Sequence, residues 1–360
     1  MKLLPFLLVF VLIAACNSKQ QTTSKEKIID KEVFQIHNFS KTFRGFLINN
    51  KLEKENASLV LTLKDSILNG ECILDSNCEG FTLKGKLLAN NKFQLNDGKL
   101  FFEGQFNDTI HLKGQYSEKN GKQHSFEFEQ KNITLFQLEI TQSEAQNFEN
   151  KESAQSSRLS TNIAQVVNAP VAIENKINKT LLIAALKQRS DFTGDIPKTN
   201  KKLLAKIRDD IELEEDEGFE QEINVSYIMR YDEIACFSIG GYLYAFGAAH
   251  PLASLEFYNF NLFNGDLIHL SDLLNFEAKA KLNKIAEKIL YKEYGEDMWD
   301  FEKEQFELND NFEISEKGLT FLFNQYEIGP YAIGMPEIFI PYSKMKGLIK
   351  EDGLLKQFLK

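Results

Sequence analysis

His250 is the residue whose type and neighbours best suit it to chemistry. It stands in Tyr242-Leu243-Tyr244-Ala245-Phe246-Gly247-Ala248-Ala249-His250-Pro251, a Gly/Ala-rich corner after an apolar run. An imidazole works as a general acid or base only with an orienting partner and a substrate within hydrogen-bond reach. No Gly-x-Ser-x-Gly elbow, His-Glu-x-x-His helix or P-loop accompanies it. The competing reading gives the ring a structural task, hydrogen-bonding the backbone of its own corner and fixing a hairpin. Two more aromatics share a loop shaped by Gly and Pro, Tyr326-Glu327-Ile328-Gly329-Pro330-Tyr331. Tyrosines give large contact area at low entropy cost, as binding surfaces do, and core packing is the alternative use of the same rings. Tyr244, His250, Tyr326 and Tyr331 are therefore the candidate binding residues, and no catalytic residue is assigned. A glycosidase-type carboxylate pair cannot be picked from 52 Asp and Glu, because separation in space is invisible in a sequence.

The four cysteines divide by context. Lys2, the apolar run Leu3 to Leu12 and the small residues before Cys16 have the layout of a targeting segment, too short to span a bilayer. Its end, Ile13-Ala14-Ala15-Cys16, resembles the lipobox of bacterial lipoproteins, which implies cleavage before Cys16 and lipidation of that residue. An ordinary secretory signal ending near a cysteine is the alternative. Cys72 and Cys78 could face each other across a hairpin, and a disulfide closing so small a loop would add about 2 kcal/mol at most. Two small core-facing thiols are the other reading. Cys236 lies in the apolar run Ile234 to Ile239 and reads as a buried free thiol. No Cys-x-x-Cys or His-x-x-x-His spacing occurs, so neither zinc nor any other cofactor is expected.

The elements that must position these residues fall into two styles. Residues 33–131 read as a small all-β domain, a meander or barrel of short strands separated by Asn-Gly, Asp-Gly and similar turns. An apolar-polar-Gly echo runs through it at Phe43-Arg44-Gly45, Leu83-Lys84-Gly85, Phe102-Glu103-Gly104 and Leu112-Lys113-Gly114, with Leu68-Asn69-Gly70 a possible further copy. Residues 132–360 read as an α+β domain with an antiparallel sheet and packed helices, in a first part 132–222 and a second part 223–360. Residues 142–161 are polar and expected to be a surface loop. Helices are predicted over 173–186, 201–213 and 276–294 from their 3.6-residue periodicity, and an acidic run fills 209–222. Asn264-Gly265 marks a tight turn after the strand Ser254 to Phe263, and Ser271 is the N-cap candidate of the next helical turn.

A chain of 360 residues exceeds one ordinary core, and residues 16–32 are polar enough to be a tether between membrane and folded body. The formal net charge is −10, and loss of residues 1–15 removes only Lys2 among charged groups. So acidic a chain offers no basic stripe to phosphates, which argues against nucleic acid and favours a cationic partner.

Two C-terminal segments resemble a known family. One is Tyr242 to Pro251 with Asn259-Phe260-Asn261-Leu262-Phe263-Asn264-Gly265 and Leu270-Ser271-Asp272-Leu273-Leu274. The other runs from Leu322 through Asn324-Gln325-Tyr326 to Gly334 and closes with Glu337 and Ile340-Pro341-Tyr342. They are similar to the paired extracytoplasmic domains of unknown function of the RsiV-type anti-sigma factor and the PdaC-type peptidoglycan deacetylase. The resemblance runs from about Asn132 to the C-terminus. The corner here reads Phe-Gly-Ala-Ala-His where the family more often has paired glycines, and neither a sigma-binding segment nor a deacetylase domain is present. What the resemblance implies is an extracytoplasmic binding module, which in the RsiV case binds lysozyme. The expected protein is a lipid-anchored envelope component, periplasmic or surface-exposed, recognising a basic protein or a peptidoglycan ligand. A cell-envelope hydrolase using His250 and a structural envelope lipoprotein are the alternatives.

Overall fold

The computed structural model describes residues 36–119, 121–148, 156–186, 196, 199–200, 202–204, 218–275, 277–295, 299 and 305–359. The targeting segment, Cys16, the tether, most of the helix expected over 201–213 and most of the acidic run lie outside the described residues. Residues 36–360 form one compact unit. Among the described residues no helix is long and apolar enough to cross a membrane.

The first eight strands are β1 (Phe39–Ile48), β2 (Lys54–Lys64), β3 (Ile67–Leu74), β4 (Gly80–Leu87), β5 (Lys92–Asn96), β6 (Leu100–Phe106), β7 (His111–Glu118) and β8 (His124–Gln130). They are antiparallel neighbours in chain order, and β1 pairs with β8 to close a barrel. Closure leaves no free edge. The interior is filled by Phe43, Phe93, Phe102, Phe106, Phe126 and Phe128 with leucines around them, all buried.

The apolar-polar-Gly echo acquires a physical meaning here. In each copy the apolar residue points inward, the polar residue outward, and the glycine inward again, since side chains alternate along a strand. Opposite those glycines stand bulky inward residues: Gly45 faces Phe128, Gly85 faces Leu95, Gly104 faces Phe93 and Gly114 faces Phe126. A Cβ on Gly104 would lie 2.4 Å from the Phe93 ring, and one on Gly45 would lie 1.9 Å from the Glu127 carbonyl oxygen. Glycine in an element interior costs about 0.5–1 kcal/mol, whereas burying a phenylalanine gains about 1.5–3 kcal/mol. The exchange of a side chain for a ring across the ladder is therefore favourable.

A six-stranded sheet follows, in the order β14-β13-β12-β11-β10-β9. Its strands are β9 (Gln137–Phe148), β10 (Ser156–Val167), β11 (Phe219–Tyr231), β12 (Ile234–Ala245), β13 (Leu252–Asn261) and β14 (Asp266–Leu267). Residues 142–148 and 156–161, expected as loop, are strand, because β9 and β10 pair residue for residue from Gln137↔Val167 to Phe148↔Ser156. Their polar composition belongs to an edge hairpin, where ladder partners rather than apolar content define the strand. One joint in the sheet is parallel, between β10 and β11. Parallel neighbours need a crossover, and α1 (Val171–Ala185) lies within it. Helix α1 buries Ile173, Ile177, Leu181, Leu182 and Ala185. These pack in one core with Phe237, Phe260, Ile223 and Val225 of the sheet. Asn178 pins the helix by pairing with both the N–H and the carbonyl of Val166, each at 2.7 Å.

The chain then forms a short helix α2 (Leu270–Leu273) and a long one, α3 (Ala278–Tyr294). The N-cap of α2 is His269, not Ser271, and its N–H donates to the Asp272 carboxylate at 2.9 Å. Gly295 ends α3 at φ +90°, donating its N–H to the Tyr291 carbonyl. A second sheet, β15 (Phe312–Ile314), β16 (Gly318–Leu322) and β17 (Glu337–Pro341), packs with α3 in a second core around Leu282, Leu290, Phe321 and Ile340.

Barrel and central sheet meet through ions. Arg44 of β1 makes a bidentate pair with Asp75 of the β3–β4 turn, and its Nε donates to Asp232 of the β11–β12 turn at 3.0 Å. Lys131 pairs with the other oxygen of Asp232 at 2.5 Å, and the Tyr227 hydroxyl donates to the Asp75 carbonyl at 2.5 Å. Cys78 sits in the same junction. It does not bridge to Cys72: both thiols are free. The reason is that they serve different cores, Cys72 inside the barrel opposite Phe81 and Cys78 at φ +53° against Phe136 and the sheet. Burial pushes the Cys78 thiol up to about 11 and raises Cys72 and Cys236 further.

Burial opposes the Asp232 charge, but hydrogen bonds from Lys131 and Arg44 outweigh it and lower its pKa. A carboxyl lowered on folding stabilises above its unfolded pKa, and that contribution is lost as pH falls through the folded value. Urea unfolding measured from about pH 6 down to about pH 2 should show the native chain losing more stability than Asp232→Asn across the acid limb. Equal losses would remove Asp232 from the junction's energetics. In the barrel, Gly45→Ala should cost about 3 kcal/mol by overpacking. Gly247→Ala, at φ +94° with nothing within 4 Å of its Cβ, should cost only about 1–2 kcal/mol on the same denaturation curves.

Candidate functional site

Strands β12 and β13 form a hairpin whose corner, residues 246–251, carries His250. Along the hairpin, residues alternate between the face packed on α1 and the opposite face. Tyr242 and Tyr244 point to the latter, directly across from Glu222 and Glu220 of β11. Tyr244 meets Phe246 edge-on at 6.0 Å rather than joining the His250 cluster. Arg158 of β10 reaches Glu144 at 3.1 Å and Glu220 at 3.6 Å on the same face. That face carries acids, amides and tyrosines.

The loop 323–336 comes to the corner because of an edge problem. Strand β13 pairs with β12 along its length but with β14 only at Phe260 and Asn261. Its remaining N–H groups are met by side-chain amides: Ala253 donates to Gln325 at 2.8 Å, Leu255 to Asn324 at 2.7 Å and Phe257 to Asn311 at 2.8 Å. Asn311 returns a bond to the Leu255 carbonyl at 2.8 Å. Glu327 locks the loop, accepting from the Asn324 N–H at 2.8 Å and from Asn309 at 2.7 Å.

With Asn324 and Gln325 so fixed, Tyr326 is carried at φ +65°, a left-handed conformation unusual for a bulky residue. The residue is 53% exposed. The Tyr326 hydroxyl lies 3.1 Å from His250 Nε2, and His250 Nδ1 lies 3.2 Å from the Pro251 carbonyl. A carbonyl only accepts, so a neutral ring with its proton on Nδ1 donates there and accepts from Tyr326 at Nε2. Tyr331 stacks on the imidazole at 3.7 Å between centroids and 20° between planes. Tyr326 and Tyr331 lie 5.7 Å apart.

Three of the four expected binding residues, His250, Tyr326 and Tyr331, are thus one aromatic cluster, and Tyr244 stands apart on the sheet. Both nitrogens of His250 are engaged by the corner's carbonyl and a tyrosine, an arrangement that orients a ring. The residues sequence reasoning passed over are Asn309, Asn311, Asn324, Gln325 and Glu327. Their signal was the density of Asn and Gln in 309–325 beside an otherwise apolar strand. Among the described residues no group of three His, Cys, Asp or Glu side chains could hold a metal ion.

Residues 270–343 match the family described as "Protein of unknown function (DUF3298)". The span includes α2, α3, the second sheet and the Tyr326–Tyr331 loop. No curated protein matches the chain. A crystal structure of a DUF3298 family member from Bacteroides fragilis NCTC 9343 is similar in fold, with a TM-score of 0.53 and 19% identity over 63% of this chain and 99% of that one. A DUF3298 family protein from Pseudomonas aeruginosa PAO1 aligns with a TM-score of 0.43 and 17% identity over 59% of this chain and 94% of that one.

Asn311→Leu keeps the volume but leaves the Phe257 N–H and the Leu255 carbonyl without this partner, and should cost about 2–4 kcal/mol in denaturant unfolding. Tyr326→Gly should change stability by less than about 1 kcal/mol, since relief of left-handed strain offsets the added freedom of the unfolded chain.

Proposed function

We propose that this protein is a lipid-anchored cell-envelope binding protein that recognises a basic protein, lysozyme being the first to test, or a cell-wall component. The observation that carries the reading is the exposed, strained Tyr326 held over a stacked His250–Tyr331 pair. Backbone strain concentrates at functional sites, and an exposed tyrosine held rigid loses little entropy on contact. The imidazole spends both nitrogens on holding the cluster, which suits a contact surface better than proton transfer. The acids of the neighbouring sheet face and a net charge of −10 complement a cationic partner. Anchoring rests on Ile13-Ala14-Ala15-Cys16, and the partner class on the resemblance of the C-terminal half to the RsiV-type module.

The test is calorimetric titration of the purified chain with lysozyme and with soluble peptidoglycan fragments. Tyr326→Gly and His250→Ala should each weaken binding by about tenfold or more, and added salt should weaken it further. Absence of binding to both ligands, or variants that bind as the native chain does, would sink the proposal. In cells, Cys16→Ala should move the protein from the membrane fraction to the soluble one.

A further inference from the structure

Charge is spread unevenly along this chain. The whole carries −10, yet residues 343–359 hold Lys344, Lys346, Lys350 and Lys356 against only Glu351 and Asp352. The backbone there doubles back on itself. Tyr342–Lys344 form a 3-10 turn, closed by the Met345 N–H on the Tyr342 carbonyl at 2.9 Å. Ile349 bridges to Leu274, and the Gly353 N–H donates to the Lys350 carbonyl at 3.2 Å where the chain reverses. A second 3-10 stretch, Leu354–Phe358, brings Phe358 back onto Tyr342. Their rings stack at 5.7 Å between centroids and 4° between planes, and Phe358 meets Tyr231 edge-on at 5.4 Å. Residues of both limbs line a cavity of about 580 Å³. Its apolar lining is Tyr342, Met345, Ile349, Phe358 and Leu359. The first three are core residues, while Phe358 and Leu359 stay partly exposed.

Lys346 and Lys356 line the same cavity, with Glu351 the acid beside them. Both lysines are exposed, and neither ammonium has an acid or carbonyl partner among the described residues. Lys350, by contrast, spends its ammonium on the Ser271 and Asp272 carbonyls at 3.2 and 3.0 Å. Small-molecule sites occupy about 300–1,000 Å³ and are mostly apolar, with a few polar groups that orient the ligand. An apolar lining with unspent cations beside it selects a molecule that is apolar along its length and anionic at one end. We infer that this cavity binds a single-chain fatty acid, its alkyl chain against Met345, Ile349 and Phe358 and its carboxylate at Lys346 and Lys356. Lysine suits this place, since its stem lies on apolar surface while its ammonium stays in water. A cationic amphiphile would meet two like charges and one opposite charge. A small anion without a chain would leave the apolar lining in water. The cavity is separate from the His250–Tyr326–Tyr331 corner and stands without it.

The probe is dodecanoate, titrated calorimetrically into the purified full chain, with acetate and dodecyltrimethylammonium as controls. Dodecanoate should bind one to one, slow hydrogen exchange of the 345–359 amides and leave the barrel amides unchanged. Acetate should not bind, and dodecyltrimethylammonium should bind at least about tenfold more weakly. The double variant Lys346→Gln with Lys356→Gln, both at exposed positions, should keep the native circular dichroism and weaken dodecanoate at least about tenfold. Ser343→Trp, at an exposed position of the lining, should weaken it by filling the space. No binding, several equivalents bound, protection elsewhere, equal binding of the cationic amphiphile, or full affinity in the double variant would overturn the inference. So would binding confined to vesicles containing phosphatidylglycerol, because this surface would then lie on a membrane instead of holding a free acyl chain.

Discussion

The structure turns on how the unpaired side of β13 is satisfied. A strand in mid-sheet hands its backbone groups to two neighbours, but β13 has a full neighbour only in β12. Each buried backbone group left without a partner costs about 1–3 kcal/mol, and three N–H groups and a carbonyl are at stake here. Asn311, Asn324 and Gln325 meet them. Their combined effect exceeds the strain of one left-handed tyrosine, about 1–3 kcal/mol. The loop therefore stays where the amides hold it, and Tyr326 takes the conformation the loop imposes. The aromatic corner follows from a hydrogen-bonding requirement several residues away.

The same logic separates the barrel from the sheet. Closure satisfies every barrel strand through its neighbours, and packing becomes the remaining demand. Inward glycines set opposite phenylalanines meet it. The barrel's outer wall is then free to carry Arg44, whose guanidinium joins Asp75 of the barrel to Asp232 of the sheet. A buried bidentate pair is strongly directional, so it fixes how barrel and sheet meet more than it stabilises them.

Much of this was legible in the chain. The eight barrel strands follow from alternation and turn residues, and the helix over 278–294 from its apolar stripe. His250, Tyr326 and Tyr331 could be singled out by type and loop context. What could not be read was that an imidazole would stack on a tyrosine 81 positions away and hydrogen-bond another 76 positions away. Tyr244 shares their composition but not their place, because its row of the sheet faces Glu220. Residues 142–161 misled because a polar edge hairpin has no apolar period. Cys72 and Cys78, close in sequence, fall on opposite sides of the barrel wall.

By itself the sequence determined the barrel's strands and interior and the long helices, though not the polar β9–β10 hairpin. Periodicity and glycine placement are local properties, written residue by residue. Tertiary structure alone decided which polar side chains would close β13 and where Tyr326 would be held. Those outcomes depend on backbone groups that become unpaired only once strands have neighbours, a condition no single segment can express.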